Sequence, residues 1–356
     1  MAKLFGRSFA RQELEKQIGH LSQVAGVRLV ELQEGAEKGV RIADVRSGSG
    51  LRFHVSLDRG MDISAAEYKG IPLAWRSAAG DVHPSYYNPK GLGWLRSFPG
   101  GLMTGCGLTY AGAPCVDQGE ELGLHGRVSH TPATSVGSSA EWTGDECRLT
   151  VAGEVRENAL FGENLLLQRS IEVELGGSTI TFRDTVINEG VRKTPLMMLY
   201  HVNLGWPLVD DGAKLLLNAK SSTPRDAEAS KGFQEARILS GPIAGYNEQV
   251  FYHDLIADEK GFATALLLNS KLQLGLFVQF RQKELDRFVQ WKMVGEKEYV
   301  LGLEPANCHV GGRAKERELG TLQYLEPGEQ KKFLLRIGVL DGAGAVEQFT
   351  SENKLQ

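Results

Sequence analysis

Apolar and charged residues alternate most regularly near the middle of the chain. Ile171, Val173 and Leu175 are separated by single glutamates. After Gly176-Gly177 the alternation resumes at Ile180. A period of two places neighbouring side chains on opposite faces of an extended strand, and a glycine pair permits the tight turn of a hairpin. The pattern predicts two antiparallel strands, each with one buried face.

Short apolar runs bounded by glycine or polar residues predict further strands. They lie at residues 26–32, 39–46, 51–57, 61–68, 214–219, 262–269, 272–279 and 332–339. Lys69-Gly70 predicts a hairpin turn after one of these runs. One helix is predicted near the start, from Ser8 to Leu21. Within it, Leu14, Ile18 and Leu21 have the i, i+4 and i+7 spacing of one helical face.

Between residues 78 and 126 the chain is rich in glycine and has no regular period. A loop of this length inside a compact domain is usually functional, so we expect it to form the wall of a site. No Pro-rich or charged linker divides the chain, and helical periodicity is scarce. We predict an all-β protein with one antiparallel β domain over residues 25–345, an N-terminal helical extension over 1–24 and a C-terminal tail over 346–356.

The composition excludes several classes of function. A net charge of −4 over 356 residues gives no electrostatic reason to expect nucleic acid or a membrane surface as a partner. No apolar run approaches the roughly 20 residues that span a bilayer, and the first residues lack the apolar core of a signal peptide. The four cysteines form no C-x-x-C pair. Reduced thiols and a cytoplasmic location are therefore expected.

Three segments combine titratable residues with the end of an apolar run, where a strand would present them to a cleft. They are "GLHGRVS" with His125 and Arg127, "MLYHVNLGWP" with His201 and Asn203, and "LGLEPANCHVGGR" with Glu304, Asn307 and Arg313. General acid–base catalysis needs two titratable groups, one of them active near neutral pH. A single histidine in a β protein is more often structural, so the combination of segments carries the prediction.

Metal and cofactor sites are not predicted. His125 and His130 are separated by a segment without a carboxylate, and a zinc site needs three or four converging ligands. Neither glycine-rich stretch has the spacing of a phosphate-binding loop. Ser97 and Ser129 lack the surroundings of a nucleophile elbow.

In chain order, four motifs resemble the aldose 1-epimerase (galactose mutarotase-like) superfamily, and in particular its less characterised bacterial branch of aldose 1-epimerase-like proteins. The motifs are "DRGMDIS" (58–64), "GLHGRVSHTPA" (123–133), "YHVNLGWP" (200–207) and "LEPANC" (303–308). The resemblance extends over nearly the whole chain. It implies a large antiparallel β-supersandwich with a sugar-binding cleft across one sheet.

The resemblance also implies roles for three residues. His125 would contact the sugar, His201 would be the general acid and Glu304 the general base of an isomerase that interconverts the anomers of an aldose without a cofactor. This mechanism predicts an ionised Glu304 and a protonated His201 that face each other across a space large enough for one pyranose. Tryptophans that could stack on the sugar are Trp75, Trp94, Trp206 and Trp291.

Several positions depart from the family pattern and leave the substrate open. Arg127 replaces a glycine that commonly follows the L-H-G motif. Paired hydrogen bonds from arginines suit carboxylate, phosphate or sulfonate groups, which suggests an acidic or substituted sugar. The predicted substrate-binding residues are Arg59, Asp62, Arg76, Arg127, Asn203, Asn307 and Arg313. In the alternative interpretation, the arginines pair with acidic residues and hold loops, with Asp58, Asp62, Asp117 and Glu120 as their candidates.

Two other functions remain open at this stage. The same fold could serve a non-catalytic carbohydrate-binding or regulatory protein, because a fold does not determine a function. An acid–base pair could also abstract a carbon-bound proton in a lyase or isomerase. A monosaccharide or sugar derivative is the expected partner in each case. The assembly stays open, with a homodimer among the alternatives.

Overall fold

Antiparallel strands dominate the computed structural model, which describes residues 1–356. The first twelve are β1 (Ala2–Leu4), β2 (Arg7–Phe9), β3 (Gly26–Glu31), β4 (Arg41–Arg46), β5 (Leu51–Ser56), β6 (Asp62–Tyr68), β7 (Ile71–Pro72), β8 (Thr104–Leu108), β9 (Cys115–Asp117), β10 (Glu120–Leu122), β11 (Thr134–Thr143) and β12 (Glu146–Asn158). The others are β13 (Asn164–Glu174), β14 (Thr179–Asn188), β15 (Thr194–Gly205), β16 (Lys214–Leu217), β17 (Ala219–Pro224), β18 (Gln249–Leu255), β19 (Phe262–Asn269), β20 (Leu274–Arg281), β21 (Arg287–Val294), β22 (Tyr299–Ala306), β23 (Gln323–Leu325) and β24 (Gln330–Asp341). The helices are α1 (Arg11–Glu15), α2 (Ala227–Lys231), α3 (Arg313–Glu318) and α4 (Ala343–Glu352).

The predicted central hairpin is confirmed as β13 and β14, which pair in the antiparallel sense. Ile171, Val173 and Phe182 are almost fully buried, as the alternation requires. The turn contains Gly176 at a φ of 76°, where a Cβ would lie 2.3 Å from the carbonyl oxygen of Lys3. Only glycine fits at this position, because any side chain would collide with the N-terminal strand.

Two large sheets form a sandwich. One sheet has eight strands in the order β11-β12-β13-β14-β24-β20-β19-β16. The other has seven, with β17-β18-β21-β22-β15-β23 in a row and β8 also paired to β15. A cluster of 64 buried residues forms the main core and draws members from both sheets. The antiparallel sandwich agrees with the fold that the sequence predicts.

A smaller five-stranded sheet, β3-β4-β5-β6-β7, lies in the N-terminal third. Its strands follow the predicted runs to within two residues at each end. The turn between β6 and β7 falls at Lys69-Gly70, as predicted. Two short hairpins, β1-β2 and β9-β10, complete the strand inventory.

The helices differ from the prediction at both ends of the chain. The N-terminal helix α1 has only five residues, and Ser8 does not cap it because this residue pairs with Lys3 in the β1-β2 hairpin. The predicted C-terminal tail contains most of α4, whose Val346 packs in a small cluster with Leu266. None of the helices is long and apolar enough to cross a bilayer. The domain limits at residues 24 and 345 stay predictions.

Strand β15 is buried on both faces, which is unusual in an antiparallel sheet. Met198, Tyr200 and Val202 belong to the main core. The alternate residues Met197 and Leu199 belong to a second cluster of 11 buried residues on the opposite face of the sheet. The glycine-rich segment over 78–126 supplies much of this second cluster and covers the sheet. Polar side chains of β15 on this face are therefore enclosed by protein.

Candidate active site

A cavity of about 860 Å³ lies between the covered face of the seven-stranded sheet and the glycine-rich segment. His125, His201 and Glu304 line it together, so the structure brings the three predicted catalytic residues into one place. His201 is on β15, Glu304 is on the adjacent β22, and His125 is on the covering loop. The predicted role of the glycine-rich segment as a wall is confirmed by lining residues such as Trp94.

His201 and Glu304 are direct neighbours across two strands. The pairing of Leu199 with Ala306 and of Val202 with Leu303 places them opposite each other. The Nε2 atom of His201 lies 3.3 Å from Oε1 of Glu304. No pyranose fits between atoms at this distance, so the predicted arrangement of the two groups on either side of a sugar is wrong. A ligand must lie over the pair instead.

Burial sets the protonation of this pair. Loss of water and, to a smaller extent, the carboxylate of Glu248 raise the pKa of Glu304 to about 8. Burial and, to a smaller extent, His125 lower the pKa of His201 to about 3. These shifts favour a neutral carboxylic acid beside a neutral imidazole. This corrects the expected charge pair, although both arrangements hold one proton in total.

His125 stands on a strained loop that backbone contacts hold in place. Its φ is 57°, in the left-handed region that non-glycine residues seldom occupy. Its backbone N–H donates to Gly112 and its carbonyl accepts from Gly107. The ring lies 4.9 Å from Trp94 and 5.7 Å from His201, and burial lowers its pKa to about 4. A neutral imidazole is thus presented to the cavity beside the acid–base pair.

Asn203 does not line the cavity, in contrast to the prediction that it binds substrate. Its side-chain amide N–H groups donate to the carbonyls of Gly100, Gly101 and His201. Asn203 therefore fastens the covering segment to β15 directly beside the imidazole of His201.

Replacing Asn203 by alanine is expected to lower the free energy of unfolding by about 1–3 kcal/mol, since buried carbonyl oxygens lose their donors. Urea unfolding followed by intrinsic fluorescence measures this change. Asn247→Ala, at an exposed position, is the matched control and should leave the stability unchanged. Equal stability of the two variants would contradict the assigned role.

Gly302 makes room for the carboxyl group of Glu304. The two residues lie on the same face of β22, and a Cβ at Gly302 would lie 2.9 Å from Oε1 of Glu304. It would lie equally close to the Cβ atom of Trp291 on the neighbouring strand. The φ of Gly302 is not in the left-handed region, so space and not backbone conformation requires glycine here.

Gly302→Ala is expected to displace the Glu304 carboxyl group and to slow the reaction of the site by about 10²-fold, the usual effect of a misplacement near 1 Å. Gly241→Ala is the control, because a Cβ at Gly241 meets no atom within 4 Å. The measurement is the turnover rate of each variant at saturating substrate. A Gly302→Ala variant as active as the control would show that the carboxyl position is not critical.

Two predicted arginines are engaged by loops outside the cavity. Arg59 is fully buried and donates to the carbonyls of Val82 and Ser97. Arg76 forms a two-pronged contact with Asp81, with donor–acceptor distances of 2.9 and 2.8 Å. Neither lines the cavity. Both arginines attach loops in the structure, and the cavity lining gives no support to their predicted role in substrate binding.

The other two arginines also face acidic residues. Arg313 donates to Asp117 and Glu120 at 2.6 Å each, as in the alternative interpretation of the sequence. Arg127 lies over the ring of Tyr110 and 3.6 Å from Glu157. Although Arg127 is two residues from His125, its side chain lies outside the cavity lining. These contacts hold the side chains of both arginines outside this cavity.

Asp62 and Asn307 complete the set of predicted binding residues that the cavity excludes. Asp62 on β6 accepts a hydrogen bond from the N–H of Gly105 on β8. Burial raises the pKa of Asp62 to about 7. Asn307 accepts from the N–H of Met198 and donates to the carbonyl of Leu196. Both connect strands, because strand ends carry unpaired backbone groups that side chains can satisfy.

Sequence reasoning missed a charged pair in the cavity lining, Glu248 and Arg225. Glu248 accepts from the indole N–H of Trp291 at 2.8 Å and from Arg225 at 3.2 Å. Nothing in their local sequence marks them, because the β18-β21 pairing alone brings residue 250 beside Trp291. Of the predicted tryptophans, Trp75, Trp94 and Trp291 line the cavity, whereas Trp206 is 66% exposed and lies elsewhere.

Solved structures with the same fold belong to the aldose 1-epimerase group. A Klebsiella pneumoniae protein provisionally named an aldose 1-epimerase is 26% identical, with a TM-score of 0.88 over 92% of this chain and 86% of that one. A galactose mutarotase-like protein from Clostridium acetobutylicum is 14% identical, with a TM-score of 0.63 over 90% and 99%. Galactose 1-epimerase from Lactobacillus acidophilus is also 14% identical, with a TM-score of 0.58 over 89% and 99%.

The fold places this chain in the galactose mutarotase-like superfamily. Within that class it belongs to the family described as a domain of unknown function (DUF4432), which matches residues 37–339. The sequence matches no curated protein. The family therefore defines the architecture and leaves the reaction to be argued from the site.

Proposed function

We propose that the protein is an isomerase that interconverts the anomers of an aldose by general acid–base catalysis. The observation that carries the proposal is the 3.3 Å contact between His201 and Glu304 at the wall of a cavity. A pair that holds one proton contains one acid and one base at the same time. Anomer exchange requires both, because one oxygen of the sugar loses a proton while another gains one.

The closeness of the two groups suits the geometry of a hemiacetal. The anomeric hydroxyl and the ring oxygen are bonded to the same carbon, so adjacent catalytic groups can address both from one side. Starting from a neutral imidazole and a neutral carboxyl group, the His201 Nε2 atom accepts the hydroxyl proton and the Glu304 carboxyl group donates its proton to the ring oxygen. The bond between C1 and the ring oxygen breaks as the C1 carbonyl forms.

Rotation about the C1–C2 bond then presents the other face of the aldehyde. The protonated His201 returns its proton to the carbonyl oxygen, and the Glu304 carboxylate removes the proton from the attacking hydroxyl. Ring closure restores the starting protonation of the pair. Over the full cycle, each group acts once as an acid and once as a base. During ring closure His201 is the acid and Glu304 is the base, which are the roles that the family resemblance implies. No step oxidises or reduces the sugar.

Lining groups other than the pair favour a neutral sugar over an acidic one. The cationic residues of the cavity are Arg225 and Lys297, and they share it with Glu248, Glu298 and Glu304. Arg225 is already paired with Glu248 at 3.2 Å and with Asp226 at 2.7 Å. Lys297 has no ion-pair partner, but it is exposed and adjoins Glu298, so the lining carries no excess positive charge for an anionic substituent.

Equilibrium exchange between the α and β anomers, measured by two-dimensional NMR, tests the proposal. The expected result is an exchange rate that increases in proportion to enzyme concentration for at least one neutral aldose. Binding of the sugar without faster exchange would favour the carbohydrate-binding alternative. Incorporation of solvent deuterium at a carbon atom would favour the lyase or carbon-acid isomerase.

A further inference from the structure

We infer that the substrate is an aldose that carries an apolar substituent away from its anomeric carbon. The inference rests on the proposed function, because it assumes that the anomeric end lies at His201 and Glu304. The composition and extent of the remaining cavity supply the argument for the substituent.

Polar groups are too few and too localised to surround a bare hexose. Of the 23 residues that line the cavity, 14 are hydrophobic. His125, His201 and Glu304 form the catalytic corner, and Glu248 is committed to Trp291 and Arg225. The hydroxyl of Ser77 donates to a backbone carbonyl of the covering loop. A hydroxyl that leaves water without gaining a partner costs free energy, so a fully hydroxylated ring is a poor occupant.

The predicted polar contacts would have supplied those partners, but none of them faces the cavity. The side chains of Asn203, Asn307 and the four arginines all bind other parts of the protein, as described above. The remaining lining polar groups at the far end are Lys297 and Glu298, which precede β22. Between the catalytic corner and this end, the lining is apolar apart from the Arg225–Glu248 pair.

Aromatic rings enclose the catalytic corner on three sides. Phe98 lies 5.5 Å and Trp291 lies 5.4 Å from the His201 ring, and Trp94 lies 4.9 Å from the His125 ring. Such rings suit the C–H face of a pyranose. With one sugar ring against these aromatic side chains, the rest of the cavity offers space for a different part of the ligand.

The outer part of the cavity has the size and surface of a site for an apolar group. A volume of about 860 Å³ is near the upper end of the roughly 300–1,000 Å³ that drug-sized ligands occupy. Leu92 and Leu95 line it although 61% and 49% of their surfaces are exposed. Apolar surface left in water is covered favourably by an apolar ligand group. The geometry thus places the substituent against these two leucines.

Comparison of matched sugars tests the inference. D-Glucose, D-galactose and D-mannose are each assayed beside their 6-O-benzyl ethers, whose anomeric hydroxyl is free. Anomer exchange by NMR gives KM, and titration calorimetry gives Kd. For the sugar of the preferred configuration, the benzyl ether is expected to have a KM and Kd lower by about 10-fold or more, since even one methylene group in an apolar site contributes 10–200-fold.

A variant of Leu95, one of the two exposed leucines that line the cavity, tests where the apolar substituent binds. Leu95→Ser is expected to remove most of the preference for the benzyl ether, because it removes the apolar wall. Leu160→Ser is the matched control, since Leu160 is 86% exposed and lies outside the cavity, and it should keep the full preference. Both positions are exposed enough to change without unfolding the protein.

The outcomes separate this inference from the proposed function. Equal KM and Kd values for each sugar and its ether would overturn the inference and leave the isomerase proposal intact. Tighter binding of an ether without exchange of any anomer would support the apolar site and contradict the isomerase proposal. A preference that survives in Leu95→Ser would overturn the assigned position of the substituent.

Discussion

Replacing Glu304 by glutamine is expected to lower kcat for anomer exchange by about 10²–10⁴-fold, the usual contribution of a positioned acid–base group. The amide has nearly the shape of the neutral carboxyl group that burial favours, so it can still lie beside His201. It cannot give its proton to the ring oxygen or take one up in the reverse step. Exchange rates from NMR at saturating sugar give the comparison.

The control for this variant is Glu296→Gln, which removes an exposed carboxylate outside the cavity lining. Its kcat should equal that of the wild type. Because glutamine removes the titrating group without changing its size, Glu304→Gln should fold normally and should bind the sugar with little change in Kd. A Glu304→Gln variant with wild-type kcat would exclude this residue from the proton transfers.

The activity is expected to fall above pH 8 by about tenfold per pH unit, because a pair without a proton contains no acid. Burial raises the pKa of Glu304 to about 8 and lowers that of His201 to about 3. The one-proton form therefore persists between these two values. Water-exposed groups with ordinary pKa values of 4.5 and 6.5 would confine it to a narrow interval. A profile of kcat/KM against pH measures the alkaline limb.

The same pKa change predicts how stability depends on pH. The folded Glu304 binds its proton more tightly than the unfolded residue, so its contribution is fully present below the unfolded value of 4.5 and decreases as pH rises to about 8. Wild-type protein should lose unfolding free energy between about pH 4.5 and pH 8 relative to Glu304→Gln, and the difference should stay constant above pH 8. An identical pH dependence of the two proteins would contradict a buried, protonated Glu304.

Much of the architecture could be predicted because local alternation and long-range pairing agree in the central strands. The glutamates between Ile171 and Leu175 determine which face of β13 is buried, and Gly176-Gly177 determines where the chain turns. The catalytic candidates were also predictable, since His201 and Glu304 each interrupt an apolar strand and match a family motif. Both signals are local in sequence and need no knowledge of the pairing partner.

The arginines show why binding residues could not be predicted in the same way. Their loop positions are visible in the sequence, but the acceptors that engage them are not. Arg313 pairs with Asp117 across 196 residues of chain, and Arg59 donates to the backbone carbonyls of Val82 and Ser97. The charge of an arginine therefore cannot show whether its side chain binds a ligand or attaches a loop.

Two other features depend on tertiary packing. The contact between His201 and Glu304 follows from the register of β15 and β22, which no local pattern encodes. Helix α4 was missed because few of its residues are apolar, and packing of Val346 against the eight-stranded sheet contributes to its stability. In both cases the deciding partner is distant in sequence.

The most direct test of the central claim, that His201 and Glu304 act as one proton-sharing unit, is a double-mutant cycle. It compares kcat for anomer exchange in His201→Gln, Glu304→Gln and the double variant. Residues that act as a unit give strongly non-additive effects, so the double variant should be about as slow as the slower single variant. A double variant slowed by the product of the two single effects would contradict the account.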